Sequence, residues 1–368
     1  MSLEFLFSEP QYSLRQSEKE RYLLPLLNDL TWHHRGASGD YGRLLDAVYP
    51  HTREASSLDE IPYLPVGLFK THRLLSIPDG QIFKTLTSSG TTGQQVSRVY
   101  LDSETARRQT VALSRILQHV LGPDRLPMLV IDTSTLLKNR KEFSARGAGV
   151  LGMMNFGRSH VYALDGNMDG EMNLNRDAVR DFLGRFGDAP FLMFGFTFMV
   201  WKYFFEPLRD LGVDLSNGIL IHSGGWKKLA DQAVDNATFK ARLRESTGLH
   251  RVYNFYGMVE QVGSVYMEGE DGMLYPPNFA DIVIRDPRTW EPAPMGQPGL
   301  IQVLSALPFS YPGHSILTED LGVIHSVDSG VDGRFGKAFS VIGRVPRSEI
   351  RGCSDTHQEA AVKESGAA

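Results

Sequence analysis

Thr87-Ser88-Ser89-Gly90-Thr91-Thr92-Gly93 sets hydroxyl side chains around two glycines within seven residues. Glycine lets backbone N–H groups curl round an anion with no Cβ in the way, and Ser/Thr hydroxyls add further donors. The stretch follows a strand-like run, Ile82-Phe83-Lys84-Thr85-Leu86, and precedes a helical pattern that opens near Asp102. It reads as a phosphate-cradling loop in preference to a flexible Ser/Thr/Gly turn. It is not a Walker A loop, because Gln94-Gln95-Val96, and no Lys-Ser or Lys-Thr, follows Gly93.

Around this loop the chain changes texture twice. Residues 1 to about 75 carry helical patterns at Ser17–Leu30 and Tyr41–Tyr49, then prolines at 50, 62, 65 and 78. From 82 to about 235, short apolar runs (Met128–Asp132, His160–Leu164, Phe191–Phe196, Ile219–His222) alternate with helical patterns at Asp102–Leu121, Arg176–Phe186, Phe198–Leu211 and Lys227–Ser246. That alternation predicts an α/β layer structure with parallel strands, whose ligands bind at the carboxyl ends of the strands. Beyond 250, strand-like runs at Arg251–Tyr256, Ala280–Arg285, Leu300–Leu304, Gly322–His325 and Ala338–Ile342 are separated by Gly, Pro and Asp turns, predicting a β-rich region. The expected division is a helical region 1–80, an α/β nucleotide- and acid-binding region 81–248, a β-rich subdomain 249–345 and a short tail 346–368.

The bulk properties exclude several classes. The chain has 368 residues, 42% hydrophobic and 22% charged, with a net charge of −5 and no basic block, which argues against nucleic-acid binding. Met1–Pro10 lacks the basic and apolar parts of a signal peptide, and Pro190–Trp201 is too short to span a bilayer, so no membrane insertion is expected. A single cysteine precludes an internal disulfide and fits a reducing, cytoplasmic setting.

Several residues invite chemistry. Phe194, Gly195 and Phe196 lie in an aromatic strand that could line an apolar acid pocket, Gly195 leaving room for substrate; ordinary core packing is the alternative. Cys353 stands near Arg347 and Arg351, which would favour its thiolate; a cysteine with no role is the alternative. His33-His34 reads as surface. Gly147-Ala148-Gly149-Val150-Leu151-Gly152 fits the dinucleotide fingerprint in letters only, since Arg140–Arg146 is no strand and Met153–Arg158 is a poor helix. Neither a Gly-x-Ser-x-Gly elbow nor a close Cys/His cluster occurs.

Thr87–Gly93 also resembles the phosphate loop of adenylate-forming enzymes. Tyr256-Gly257-Met258-Val259-Glu260, Thr318-Glu319-Asp320 and Gly343-Arg344 match further motifs of that superfamily in the right order, over about 260 residues. The length and the ending Arg351-Gly352-Cys353-Ser354-Asp355 most resemble the acyl-protein synthetase family, whose best-known member activates fatty acids for bacterial bioluminescence. The resemblance implies the large N-terminal-type domain of these enzymes, with the C-terminal lid domain absent or vestigial: 24 residues follow Arg344 here, where many relatives carry a domain of roughly a hundred residues with a catalytic lysine.

It further implies ATP and Mg²⁺ as cofactors and ATP-dependent conversion of a carboxylic acid into its acyl-adenylate, followed by acyl transfer to a thiol. By this resemblance Ser88, Ser89, Gly90, Thr91, Thr92 and Gly93 cradle phosphate, and Ser223-Gly224-Gly225 passes the adenine. Tyr256 and Gly257 border the nucleotide, Glu260 holds the metal, Asp320 receives the ribose hydroxyls and Arg344 contacts ribose or phosphate. Cys353 takes the acyl group, with Glu260, Thr91 and Thr92 as its catalytic companions. Val259 stands where the family pattern has a threonine, and cannot donate a hydrogen bond. The expected partners are a small-molecule carboxylic acid and an acyl-acceptor protein or partner subunit. Two alternatives stay open: adenylation of an aromatic or other biosynthetic acid for an amine or external thiol, and a nucleotide-binding subunit with little activity alone.

Overall fold

A short helix α1 (Leu3–Ser8) precedes α2 (Gln16–Ala37), whose Leu23, Leu27, Leu30 and His34 fall at helical spacing and are all buried. The computed structural model describes residues 3–88, 95–137, 145–166, 172–226 and 233–345. The chain forms two compact units, one holding 3–88, 95–124 and 253–345 and the other running from 125 to 252. In the first, α3 (Gly39–Val48), the two-residue strand β1 (Leu64–Pro65) and α4 (Leu68–Thr71) follow α2. Next comes an antiparallel pair, β2 (Lys84–Thr87) and β3 (Arg98–Leu101), and then the amphipathic α5 (Ser103–Leu121). Asp102 caps α5, its carboxylate accepting the N–H of Thr105 at 2.7 Å.

The second unit begins with β4 (Leu126–Thr133), followed by α6 (Ala145–Met154), β5 (Gly157–Gly166), β6 (Met172–Leu174) and α7 (Arg176–Phe186). β7 (Phe191–Phe196) leads into a continuous helical stretch, α8 (Thr197–Met199), a π-helical turn Val200–Phe205 and α9 (Glu206–Leu208). β8 (Gly218–Ser223) and α10 (Asn236–Thr247) complete it. The strand order is β8-β7-β4-β5-β6, parallel except for β6. β7 is buried at every position, as a central parallel strand covered on both faces must be. Its Gly195 permits close packing: a Cβ there would lie 2.8 Å from Ile131 Cβ and 3.0 Å from Val200 Cγ2.

The chain then returns to the first unit with β9 (Arg251–Tyr256), β10 (Tyr266–Glu268), β11 (Leu274–Tyr275), β12 (Ala280–Arg285), β13 (Gly299–Ser305), β14 (Ser315–Val327) and β15 (Lys337–Arg344). The order β12-β13-β14-β15-β11-β10-β9 is antiparallel throughout, with β1 added parallel to β14. A buried ionic cluster ties α2 to this sheet. Asp281 of β12 lies 3.0 Å from both Lys19 and Lys337 and accepts a hydrogen bond from Gln16 at 2.8 Å. Burial alone would raise the Asp281 carboxyl, but the two ammonium groups outweigh it and hold the group ionised.

The expected mixed α/β architecture is what the chain adopts. Two local readings are corrected. The phosphate-loop stretch leads into a second strand, β3, before the helix, because Arg98–Leu101 alternates outward and inward side chains. His34, read with His33 as surface, is fully buried. Thr318-Glu319-Asp320 lies inside the 13-residue β14, and the glycines of 147–152 sit within α6.

Candidate active site

In the first unit, β9 ends on Tyr256 and the chain turns through Gly257 into a 3₁₀ turn, Val259–Gln261. The Tyr256 hydroxyl donates to Asp320 Oδ2 at 2.7 Å. Asp320 stands opposite Arg344 in the β14–β15 register, and Arg344 Nε lies 3.2 Å from Asp320 Oδ1. A bulge directly after Leu321 interrupts that register, a device that re-aims side chains beside functional sites. Thr318 Oγ1 donates to the Ile301 carbonyl at 2.8 Å and accepts the N–H of Asp320 at 3.1 Å, fixing the acid's backbone. Burial and the Asp320 carboxylate together raise the Tyr256 phenol well above its ordinary range, so it remains a donor. Three of the sequence-predicted residues, far apart in the chain, therefore form one hydrogen-bonded group.

Glu260, only 5% exposed, sits on the 3₁₀ turn. Gln261 locks that turn by donating from Nε2 to the carbonyls of Val303 and Gly313, at 3.1 and 2.8 Å. Gly263 follows at φ +89°, where a Cβ would meet the Gln109 backbone of α5 at 2.8 Å. Burial raises the Glu260 carboxyl; the hydroxyl of Ser97 and the charges of Lys70 and Arg344 oppose that rise. A carboxylate whose ionised form is disfavoured by burial gains from a cation. Hard oxygen donors suit Mg²⁺, which takes one or two carboxylates and completes its shell with water and phosphate oxygens. Glu260 and Ser97 fit that ion.

Ser97 also closes the neck of the Ser/Thr/Gly loop. Ser88 N–H donates to the Ser97 carbonyl at 3.1 Å, and Ser97 N–H donates to Ser88 Oγ at 2.9 Å. β3 packs against the turn that bears Glu260. Of the loop residues singled out in the sequence, Ser88 belongs to this neck; Ser89, Gly90, Thr91, Thr92 and Gly93 lie outside the described residues, as does Cys353. Sequence reasoning missed Ser97, Lys70 and Gln261. The one available signal was the two-residue alternation of Arg98–Leu101, which would have made Ser97 the hairpin partner of Ser88.

In the second unit, β7 and β8 run in register, pairing Gly195 with His222 and Phe196 with Ser223, so their carboxyl ends align. Ser223 ends β8, Gly224 has φ +85°, and nothing lies within 4 Å of the place a Gly225 Cβ would occupy. Phe194 and Phe196 are both buried, their ring centroids 5.8 Å apart. The space over Gly195 is filled by Ile131 and Val200, so this glycine serves chain packing; it does not leave room for substrate. His222 bonds Thr197 Oγ1 through Nδ1 at 3.0 Å, while its buried Nε2 has no hydrogen-bond partner among the described residues. Burial, reinforced by Lys240, brings the imidazole down to about 3, so it is neutral at ordinary pH.

The family model for acyl-protein synthetase, LuxE, matches residues 5–362. The long-chain-fatty-acid--luciferin-component ligase of Vibrio harveyi is 22% identical, the match covering 96% of this chain and 91% of that protein. The corresponding ligase of Aliivibrio fischeri is 21% identical over 81% of this chain and 78% of its own. Among solved structures, 2-hydroxyisobutyryl-CoA ligase in an open conformation with 2-HIB-AMP and CoA matches with a TM-score of 0.65, 16% identity, and coverage of 90% of this chain and 76% of that one. The same ligase in its postadenylation state gives 0.67 at 16% identity, covering 91% and 69%. These likenesses establish a shared fold. None of the described helices is long and apolar enough to cross a membrane. The chain belongs to the acyl-protein synthetase family, LuxE, and is thereby an AMP-forming acid ligase that makes an acyl-adenylate and passes the acyl group to a thiol.

Proposed function

We propose that this protein activates a long-chain fatty acid with ATP and loads the acyl group onto its own Cys353, for delivery to an acyl-acceptor protein or partner subunit. One observation carries the reading: a single unit brings together the loop neck Ser88–Ser97, the buried Glu260, and the bonded group Tyr256–Asp320–Arg344. The names of the two bacterial relatives support a long-chain acid.

Each residue has a role that its chemistry permits. Asp320 accepts one protein donor on each oxygen, and each oxygen keeps a lone pair for a ribose hydroxyl. Arg344, about a third exposed, faces the ribose or phosphate side of the nucleotide. Ser223-Gly224-Gly225 lets its backbone approach the adenine, Gly225 being open where a side chain would stand. Ser89, Gly90, Thr91, Thr92 and Gly93 wrap the phosphates, and the two threonines donate to charge that builds as the carboxylate oxygen attacks the α-phosphorus and pyrophosphate leaves. Mg²⁺, when bound, neutralises phosphate charge; Glu260 and Ser97 would hold it. The Cys353 thiolate attacks the acyl carbon, forming a thioester and releasing AMP. A reducing cytoplasm keeps that thiol free.

The test is ATP–pyrophosphate exchange over a panel of fatty and aromatic acids, with wild type and Cys353→Ala. Exchange preferring long-chain acids, kept in the variant while covalent acyl label disappears, is the expected result. Exchange without label on either form overturns the carrier thiol. Absence of exchange with every acid overturns the whole reading.

A further inference from the structure

A buried guanidinium in the second unit has donors with no partner among the described residues. Arg146, in the first turn of α6, is 7% exposed; it lies beside Asp132, near the carboxyl end of β4 and 1% exposed. Arg146 Nε lies 3.4 Å from Asp132 Oδ2, close enough for ion pairing. Yet Nε and Nη1 of Arg146, and Oδ2 of Asp132, complete no hydrogen bond among the described residues. Oδ1 of Asp132 is occupied by the Thr133 N–H at 2.7 Å. Buried charged groups are ordinarily hydrogen-bonded, and an exception calls for a ligand, an ion or water.

The surroundings say which ligand fits. Gly149, one helical turn beyond Arg146, sits so close to β7 that a Cβ would lie 3.3 Å from Phe196 Cζ. α6 thus sets an arginine and an aromatic wall side by side at the carboxyl ends of β4 and β7, where open parallel sheets bind their ligands. An apolar chain ending in a carboxylate matches both: the guanidinium fork is made for a planar two-oxygen anion.

We propose that Arg146 is a carboxylate receptor for the acid substrate, with Asp132 as its positioning residue and Phe196 as the apolar wall beside it. The proposal deepens the reading of the chain as an acid-activating enzyme and rests on it. A monocarboxylic acid would present its reacting carboxylate, and a dicarboxylic acid a second one as well.

The experiment compares dodecanoate and dodecanedioate in ATP–pyrophosphate exchange with wild type, Arg146→Met and Arg146→Lys. Loss of a charge-assisted hydrogen bond corresponds to a roughly 10- to 100-fold rise in KM for the acid, with KM for ATP within about twofold. Lysine should restore part of the loss. A rise with both acids identifies the reacting carboxylate, and a rise with the diacid alone identifies the second. An unchanged acid KM, or acid and ATP KM rising together with loss of thermal stability, overturns the proposal. A wild type that exchanges with no acid sinks the adenylation reading instead. Calorimetric binding of dodecanoate and dodecanamide to the wild type then decides the receptor alone: the carboxylate should bind at least about tenfold tighter, and equal affinity overturns it.

Discussion

Two pairs of polar groups, Asp320 and Asp281 in the first unit and Arg146 and His222 in the second, are treated in opposite ways. In the first, Asp320 is held by Tyr256 and Arg344, and Asp281 by Lys19 and Lys337. In the second, Arg146 and His222 keep buried nitrogens with no hydrogen-bond partner among the described residues. A pre-bonded group is already in place before a ligand arrives and loses little freedom on binding it. An unsatisfied buried group carries a desolvation cost that only an incoming partner relieves. The Asp320 group is thus prepared for a ligand of fixed shape, and Arg146 for one that completes its hydrogen bonds.

The sharpest way to break the comparison is Glu260→Gln, predicted to lower acid-dependent exchange by about a hundredfold or more. Stability should move the other way. Because burial raises this carboxyl, folding favours its protonated form, and its contribution is lost as pH climbs through the raised value. Thermal melts from pH 4 to 8 should show the wild type falling behind Glu260→Gln as pH rises. A parallel decline would refute the buried-anion account.

Next in size is the Tyr256–Asp320 bond. Tyr256→Phe should raise KM for ATP by about tenfold, the equivalent of one hydrogen bond to a charged group. Combining it with Asp320→Asn in a double-mutant cycle should show clear coupling; additive effects would mean that the bond does not prepare the site.

A pair of glycine substitutions separates packing from binding in the second unit. Gly195→Ala should cost about 1–3 kcal/mol in urea unfolding by overfilling the space against Ile131 and Val200. Gly225→Ala, with open space at that point, should leave stability nearly unchanged and raise KM for ATP. If both lower stability equally, the turn is structural.

The smallest effect concerns His222. Its imidazole is held down to about 3, so the unfolded chain takes up a proton that the folded chain refuses as pH drops below about 6.5. His222→Asn should flatten the acid limb of the stability curve. A histidine NMR signal from His222 titrating near neutrality would contradict the burial described.

The strands of the second unit were legible in the sequence, and the candidate residues of the first stood out by their motifs. Long apolar runs such as Phe191–Phe196 announce central parallel strands, because no turn or surface tolerates them. Tyr256, Glu260, Asp320 and Arg344 were found by their ordered motifs, although nothing in that order says that Tyr256 would bond Asp320. Other features were hidden. A four-residue strand such as Arg98–Leu101 offers too few alternations to distinguish it from a loop. The helical period read over Phe198–Leu211 could not reveal the π turn at Val200–Phe205, which inserts an extra residue without changing composition. Arg146 was passed over just before a discarded glycine pattern, since a charge looks exposed until the helix bearing it is seen folded onto strand ends.

The ionic cluster under α2 also sets a timetable. Gln16 and Lys19 leave the ribosome long before their shared partner Asp281, which lies 265 residues beyond Gln16. At about 5–20 residues per second that is a wait of roughly 13 to 50 s. Throughout that interval the opening helix has no sheet to dock on and exposes its leucine stripe to the cell. The stretch 125–252, by contrast, has its strand partners within easy reach and can assemble as it emerges. The helix Gln16–Ala37 therefore completes its docking only after the strand bearing Asp281 has emerged.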